Sequence, residues 1–176
     1  MIRRFRAEDL RPVMEIWLTA NKKAHSFVPE SYWDSHFAEV ENMMPQAELY
    51  VYEEENTHQI SGFIGLMDDY IAGIFVKYGE QSKGIGKQLL DYVKEQNSTL
   101  TLHVYQKNIR AVSFYQRESS FLSSPKGSMR TPMKTSLRWS GDKMFGNHKC
   151  PSQAESVAGI TGQFLAVLLL PKNLFA

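Results

Sequence analysis

The stretch FVKYGEQSKGIGKQLLDYVKE, residues 75–95, decides the fold, because its character changes partway along. It begins as an apolar strand, passes through a turn that contains Gly84 and Gly86, and continues as an amphipathic helix. The backbone N–H groups at a helix N-terminus attract anions, and glycines let that backbone approach a phosphate closely. The stretch therefore predicts a phosphate-binding loop between a strand and a helix.

The sequence of this turn can be compared with three known glycine-loop patterns. A Walker loop needs a lysine directly after its second glycine, where this chain has Ile85. A dinucleotide fingerprint needs a third glycine, where this chain has Leu89. The pattern Gln/Arg-x-x-Gly-x-Gly/Ala is met in full by Gln81, Gly84 and Gly86. The third pattern fits best, and a plain strand-to-helix turn remains the alternative on these six residues alone.

Composition limits the class of protein. The chain has 176 residues, of which 43% are hydrophobic and 22% charged, which favours one globular domain. Lysine and arginine number 20 against 19 aspartates and glutamates, so no basic surplus indicates a nucleic acid or membrane partner. The single Cys150 excludes an internal disulfide and a multi-cysteine zinc site. The N-terminus lacks an apolar signal segment and the run at 164–170 is too short to span a bilayer, so we expect a cytoplasmic protein.

The hydrophobic pattern predicts the order β-α-α-β-β-β-α-β-α over residues 1–118. The second helix is expected to begin at Pro29 or Glu30 and to end before Pro45, and an antiparallel hairpin follows it. The last helix, 108–118, is expected to bury a stripe that includes Ile109 and Tyr115. The fold class is therefore α/β, with strands before and after a crossover helix.

A second motif lies at the start of that last helix. Asn108 stands at a helix N-cap position and begins the pattern Asn-x-x-Ala-x-x-Phe-Tyr, which ends at Tyr115. With the glycine loop before it, this part of the chain resembles the GNAT superfamily of acetyl-CoA-dependent N-acetyltransferases. It is most similar to small bacterial members, some of which acetylate protein lysines. The resemblance covers residues 1 to about 118.

The resemblance implies both a fold and a reaction. The fold is the GNAT fold, a mixed and mostly antiparallel sheet flanked by helices (α/β, of the α+β type). The reaction is direct transfer of an acetyl group from acetyl-CoA, without a metal, to a primary amine: a protein lysine, a peptide N-terminus or a small molecule. The alternative is a non-catalytic acetyl-CoA-binding module or an inactive acetyltransferase remnant.

The resemblance also implies roles for single residues. Backbone groups along Ile74–Val76 and the side chain of Asn108 would contact the pantetheine arm, and the glycine loop would hold the pyrophosphate. Tyr115 would protonate the leaving thiolate, a task that suits a phenol because its ordinary pKa is about 10. Asn108 could instead be only a helix cap and Tyr115 only a core aromatic. The expected cofactor-binding residues are Ile74, Phe75, Val76, Gln81, Ser82, Lys83, Gly84, Ile85, Gly86, Lys87 and Asn108.

The acceptor site is expected under the loop that joins the first two helices. Its candidate lining residues are His25, Phe27, Tyr32 and Trp33, which could equally serve only to pack the loop on the sheet. The general base stays open in the sequence. A water relay is one possibility, and the candidate side chains are Asp68, Asp69, His103 and His25.

The chain departs from the family pattern at two places. Ser82 stands where many relatives carry glycine or arginine, and it should be tolerated if the contact comes from the backbone. Ser119 and Ser120 stand where the last helix normally ends in Gly-Phe. After residue 118 the chain is rich in Ser, Pro, Gly and Lys and shows no sustained period. We therefore divide it into an acetyltransferase domain, 1–118, and an atypical, irregular tail, 119–176.

The tail raises a hypothesis about its origin. We expect no strand in it to border the strand at 99–105, so the family's final strands would be missing or replaced. Reading the codons of residues 128–143 back by one nucleotide permits an acidic segment, a Met-x-Trp strand and a stop codon, which resemble the ending of small bacterial acetyltransferases. The hypothesis is that out-of-frame sequence replaced the native end. The alternative is a divergent native tail.

Overall fold

The computed structural model describes residues 1–105, 107–118, 121–123 and 134–140. Over 1–118 the predicted order of elements is confirmed. Short 3-10 helices at Ala7–Asp9 and Met44–Gln46 precede the first helix and follow the second. The strands are β1 Ile2–Arg4, β2 Glu48–Glu53, β3 Ile60–Met67, β4 Tyr70–Val76, β5 Thr99–Tyr105, β6 Phe121–Ser123 and β7 Lys134–Ser140, and the helices are α1 Leu10–Ala24, α2 Glu30–Met43, α3 Ile85–Gln96 and α4 Ile109–Arg117.

All the described strands belong to one mixed sheet. Their order is β1-β2-β3-β4-β5-β7-β6. β4 and β5 are parallel, because α3 crosses between them, and every other described pair is antiparallel. The predicted fold class, a mostly antiparallel mixed sheet flanked by helices, is confirmed.

The sheet carries an apolar core on each face. Phe63 of β3 belongs to the core that α1 and α2 cover, and the next residue, Ile64, belongs to the core that α3 and α4 cover. This division follows from the strand period of two, which sends successive side chains to opposite faces. On the α1–α2 side the buried rings of Trp17 and Trp33 meet edge to face with centroids 5.9 Å apart. α1 and α2 therefore pack on one face of β3 and β4, and α3 and α4 pack on the other.

The structure corrects the expectation that no strand after residue 118 borders β5. β7 pairs antiparallel with β5 along its whole length, and the register sets Leu100 opposite Trp139 and Leu102 opposite Leu137. The sequence of β7, KTSLRWS, alternates Lys, Ser and Arg with Thr, Leu and Trp, which is a strand pattern too short to stand out in a polar tail. The division at residue 118 and the out-of-frame origin stay predictions, and Ser119 and Ser120 lie outside the described residues.

The pairing of β7 with β5 yields a stability prediction. A chain that ends at residue 118 loses the β7 ladder and exposes the edge of β5. A chain that ends at residue 140 keeps the ladder, and its β5 edge stays covered. Each ladder bond contributes a net ~1 kcal/mol, so the shorter chain should lose at least ~2–3 kcal/mol of unfolding free energy and should self-associate through the open edge. Denaturant melts and sedimentation of the two chains test this. Equal stability of two monomeric chains would contradict it.

Candidate active site

β4 and β5 lie side by side only where they begin. Their register pairs Tyr70 with Thr101, and the Thr101 N–H donates to the Asp69 carbonyl at 2.8 Å. Between the described residues of these strands no other register pair forms, although β4 continues for six more residues and β5 for four. The strands therefore diverge, and a cavity of about 830 Å³ opens along the gap.

A bulge in β4 contributes to this divergence. β3 pairs Gly65 with Gly73 and Leu66 with Ile71, so Ala72 is the extra residue on β4. A bulge bends its strand and increases the local twist. Ala72 and Gly73 line the cavity, so the bend lies at the gap itself.

The glycine loop closes one end of the cavity. Gly84 is the N-cap of α3 and has a left-handed backbone with φ 84°, and Ser82 also has a positive φ of 66°. A glycine adopts such a conformation without strain, so Ser82 holds a backbone conformation that favours glycine. The Gln81 side chain donates from Nε2 to the Val76 carbonyl at 3.3 Å and so ties the loop to the end of β4.

The N-terminus of α3 is suited to an anion. No side chain in the described part of the chain caps it, and its first turn carries no acidic residue. The first N–H groups of a helix have no partner within the helix, and the helix dipole favours negative charge there. Gly84, Ile85, Gly86 and Lys87 all line the cavity. The N–H groups at the start of α3 can therefore bind a phosphate group without displacing a capping side chain.

The lysines of this region are already ion-paired. Lys83 Nζ lies 2.8 Å from a carboxylate oxygen of Glu80, and Lys87 pairs with Asp91 and, at 3.8 Å, with Glu118. Such exposed pairs contribute little to stability. Both ammonium groups could exchange these carboxylates for a phosphate at small cost.

Asn108 is a helix cap that also lines the cavity. Its Oδ1 accepts the Ala111 N–H at 3.1 Å, as the cap interpretation predicts. Next to it, Ile109 is 72% exposed, so the expected buried stripe of α4 is wrong at this residue. The reason is that the first turn of α4 faces the cavity, while Phe114 of the last turns packs beside Gly86 of α3.

Tyr115 is both a core aromatic and a cavity residue. It is 7% exposed within the α3–α4 core, and it lines the cavity from α4. Burial, with a smaller contribution from the nearby Tyr70 phenol, raises the pKa of Tyr115 above its ordinary value. The phenol therefore keeps its proton throughout the neutral range, and it can act as a proton donor.

The predicted acceptor residues form one aromatic cluster. The His25 ring centroid lies 5.7 Å from Phe27 and 5.5 Å from Trp33, and Tyr32 lies 5.2 Å from Trp33. His25 and Trp33 line the cavity, whereas Phe27 and Tyr32 pack around them outside its lining. The four rings thus pack the α1–α2 loop onto the sheet, and two of them also reach the cavity.

Two of the four candidates for the general base line the cavity and two do not. Asp68 and Asp69 are exposed in the β3–β4 turn and do not line the cavity, whereas His25 and His103 do. The sequence analysis missed Tyr70, whose hydroxyl lies 3.2 Å from His103 Nδ1. No sequence signal distinguishes Tyr70, because it looks like the first residue of an apolar strand.

This geometry defines the class of protein. A mixed sheet opens between two parallel strands, with a glycine loop and helix N-terminus at one end of the gap and a buried tyrosine in its wall. The family model described as the Acetyltransferase (GNAT) domain matches residues 19–121. The chain belongs to the GNAT family of N-acetyltransferases.

Particular relatives are similar over most of their own length. The peptidyl-lysine N-acetyltransferase YiaC of Escherichia coli K12 is 33% identical over 120 residues, which are 67% of this chain and 81% of YiaC. The peptidyl-lysine N-acetyltransferase YjaB of Salmonella typhimurium is 28% identical over 116 residues, 66% of this chain and 79% of YjaB.

Solved structures share the fold. The solution structure of apo YjaB from Escherichia coli superposes with a TM-score of 0.65 at 24% identity, over 80% of this chain and 95% of that one. The PaiA N-acetyltransferase of Thermoplasma acidophilum, crystallised with coenzyme A, also gives 0.65, at 18% identity over 80% and 98% of the two chains.

Two other features are absent from the described ranges. Within them, no three His, Cys, Asp or Glu side chains are grouped so as to hold a metal ion. Across the same residues, none of the helices combines the length and apolar character that a membrane crossing needs.

The loop glycines yield a paired prediction. Gly84→Ala forces a Cβ into a left-handed conformation, φ 84°, which should cost ~1–2 kcal/mol of unfolding free energy. Gly86→Ala is the control, because a Cβ there meets Phe114 and Val76 at ordinary distances of 3.7 and 3.8 Å. It should be neutral, or stabilising by ~0.5–1 kcal/mol through helix propensity. Urea melts measure both. Equal effects would show that backbone conformation at residue 84 is unimportant.

Proposed function

We propose that the chain transfers the acetyl group of acetyl-CoA directly to the side-chain amine of a protein lysine. The observation that carries this proposal is the cavity between β4 and β5, which runs from the uncapped N-terminus of α3 to the α1–α2 loop, with Tyr115 in its wall. A donor can enter from one end and an acceptor from the other. The two substrates would thus meet within the gap in the sheet.

The α3 end suits the pyrophosphate of the donor. Residues 81–87 would hold it through backbone N–H groups at the start of α3, and Lys83 and Lys87 would add charge. The PaiA structure of the same fold contains coenzyme A, which supports this choice of donor. The Gln81 contact with Val76 would keep the loop in place before the donor binds.

The divergent edge of β4 suits the pantetheine arm. The opposite edge of β4 pairs with β3 as far as Val76, so the edge toward the cavity is the one available to a ligand. Backbone N–H and C=O groups need partners when they are buried. The amides of pantetheine and the acetyl carbonyl would supply them along Ile74, Phe75 and Val76, and the Asn108 side chain would contact the arm from α4.

The transfer requires that one proton leave the attacking amine and that one proton reach the leaving thiolate. The amine nitrogen bonds to the acetyl carbon, the carbon–sulfur bond breaks, and the leaving thiolate takes a proton from the Tyr115 phenol. The raised pKa of Tyr115 keeps that proton available. The transfer is direct and has no covalent acyl-cysteine stage; the chain's single cysteine, Cys150, lies outside the described residues.

The acceptor class is supported by the relatives. YiaC and YjaB are named peptidyl-lysine N-acetyltransferases and match this chain over about four fifths of their length. A peptide N-terminus and a small amine present the same nucleophile, so the acceptor must be tested. An unbiased screen of lysine peptides, peptides with blocked side chains and small amines, read out as release of free thiol, separates the three. A chain that binds acetyl-CoA yet releases no thiol with any amine would be a binding module or remnant instead.

Donor binding yields a prediction at the glycines. Gly84→Asp and Gly86→Asp each bring a carboxylate to the start of α3, where it would repel the pyrophosphate. We expect acetyl-CoA affinity to fall by at least ~100-fold in the double variant, as measured by calorimetry. Gly86→Ala serves as the uncharged comparison and should retain most of the affinity. Unchanged affinity in a folded double variant would exclude this loop as the pyrophosphate site.

Proton donation yields a prediction at Tyr115. Tyr115→Phe keeps the ring in the α3–α4 core and removes only the hydroxyl. Acetyl-CoA affinity should hold while kcat falls by ~10²-fold or more. Because the pKa of Tyr115 is raised, the wild type should lose no activity from phenol ionisation as pH rises to about 10. An unaffected kcat would leave Tyr115 with a packing role alone.

A further inference from the structure

His103 lies on the acceptor side of the gap. Along β5, Leu100, Leu102 and Val104 are buried in the core beneath α3 and α4. Successive side chains of a strand alternate between faces, so His103 lies on the opposite face, the one that carries α1 and α2. It is exposed there and lines the cavity. An acceptor that enters under the α1–α2 loop would therefore meet this imidazole.

Tyr70 holds the imidazole at the point where the strands separate. The Tyr70 hydroxyl lies 3.2 Å from His103 Nδ1, and the two ring centroids are 5.5 Å apart. Tyr70 is also the residue whose backbone pairs with Thr101, two positions before His103. Tyr70 therefore marks the point where β4 and β5 separate, here called the apex of the gap, and it also orients the His103 ring beside that point.

The other candidate bases are less suited to take a proton from the amine. Of the carboxylates in the cavity wall, Glu80 is paired with Lys83 and Glu118 with Lys87 and Arg117, all toward α3. The His25 ring packs among the aromatic side chains of the α1–α2 loop. His103 instead stands at the apex of the gap, across the sheet from Tyr115.

We propose that His103 accepts the proton of the attacking amine and that Tyr70 is its positioning residue. This inference rests on the proposed acetyl transfer. With Nδ1–H donating to the Tyr70 oxygen, Nε2 carries the lone pair. The amine nitrogen forms the new bond to the acetyl carbon and its proton passes to Nε2, while the thiolate takes the proton of Tyr115. The products are one amide and one free thiol, and both side chains recover their original protonation by exchange with water.

The test compares three histidine or tyrosine variants with the wild type. His103→Gln removes the base, Tyr70→Phe removes only the hydroxyl that orients it, and His58→Gln is a matched control at the tip of the β2–β3 hairpin, outside the cavity lining. Thiol release is measured at saturating amine from pH 5.5 to 9, and acetyl-CoA affinity is measured by calorimetry. Among the described residues, the Tyr70 hydroxyl contacts His103, and Lys23, His25 and Tyr115 are further titratable groups in the cavity lining.

The expected results differ between the variants. In the wild type, kcat should rise with pH as the His103 imidazole loses its proton, because only the neutral ring accepts a proton. His103→Gln should lower kcat by ~10²-fold and abolish that rise while acetyl-CoA affinity stays within twofold. Tyr70→Phe should lower kcat less and shift the midpoint of the rise. His58→Gln should match the wild type.

Two outcomes would overturn the inference. One is a kcat of His103→Gln within threefold of the wild type. The other is an equal loss of acetyl-CoA affinity and kcat, because the residue would then act on the donor. A wild-type chain that binds acetyl-CoA and releases no thiol with any amine would overturn the proposed function itself, and this inference with it.

Discussion

The backbone contact of Tyr70 with Thr101 is the constraint on which the site depends. It joins the first residue of β4 to the third residue of β5, and the bulge at Ala72 then bends β4 away from β5. A gap in the middle of a sheet would ordinarily leave two unsupported edges. Here β3 holds β4 and β7 holds β5 from their outer sides, so each strand keeps a partner while the gap stays open. The cavity is thus a consequence of strand pairing and needs no special loop.

The same gap divides the chemistry between the two faces of the sheet. The α3–α4 face carries the helix N-terminus suited to phosphate and the buried Tyr115, whose raised pKa retains its proton. The α1–α2 face carries His103 and the aromatic cluster around Trp33. A reaction that removes a proton from one substrate and returns one to the other can therefore keep its acid and its base apart, with the sheet between them.

Local signals in the sequence were sufficient for much of this arrangement. The glycine loop, the amphipathic pattern of α3 and the Asn108 cap each depend on residues within a few positions, so they could be predicted before the fold was known. The tolerance of Ser82 stays a prediction, and its positive φ places a serine in a backbone conformation that favours glycine. β7 was missed because seven alternating residues within a polar tail become a strand only when β5 offers an edge to pair with.

The sequence by itself determined the order of elements, the two motifs and the family they resemble, since these depend on periodicity and short spacing. Only the tertiary structure decided which side chains share the cavity. It brought Tyr70 and His103 together across 33 residues, left Ile109 exposed although its helical period predicted burial, and kept Asp68 and Asp69 out of the cavity. These outcomes depend on strand register and on where β4 and β5 separate. Both arise from pairing between distant segments, which no local pattern encodes.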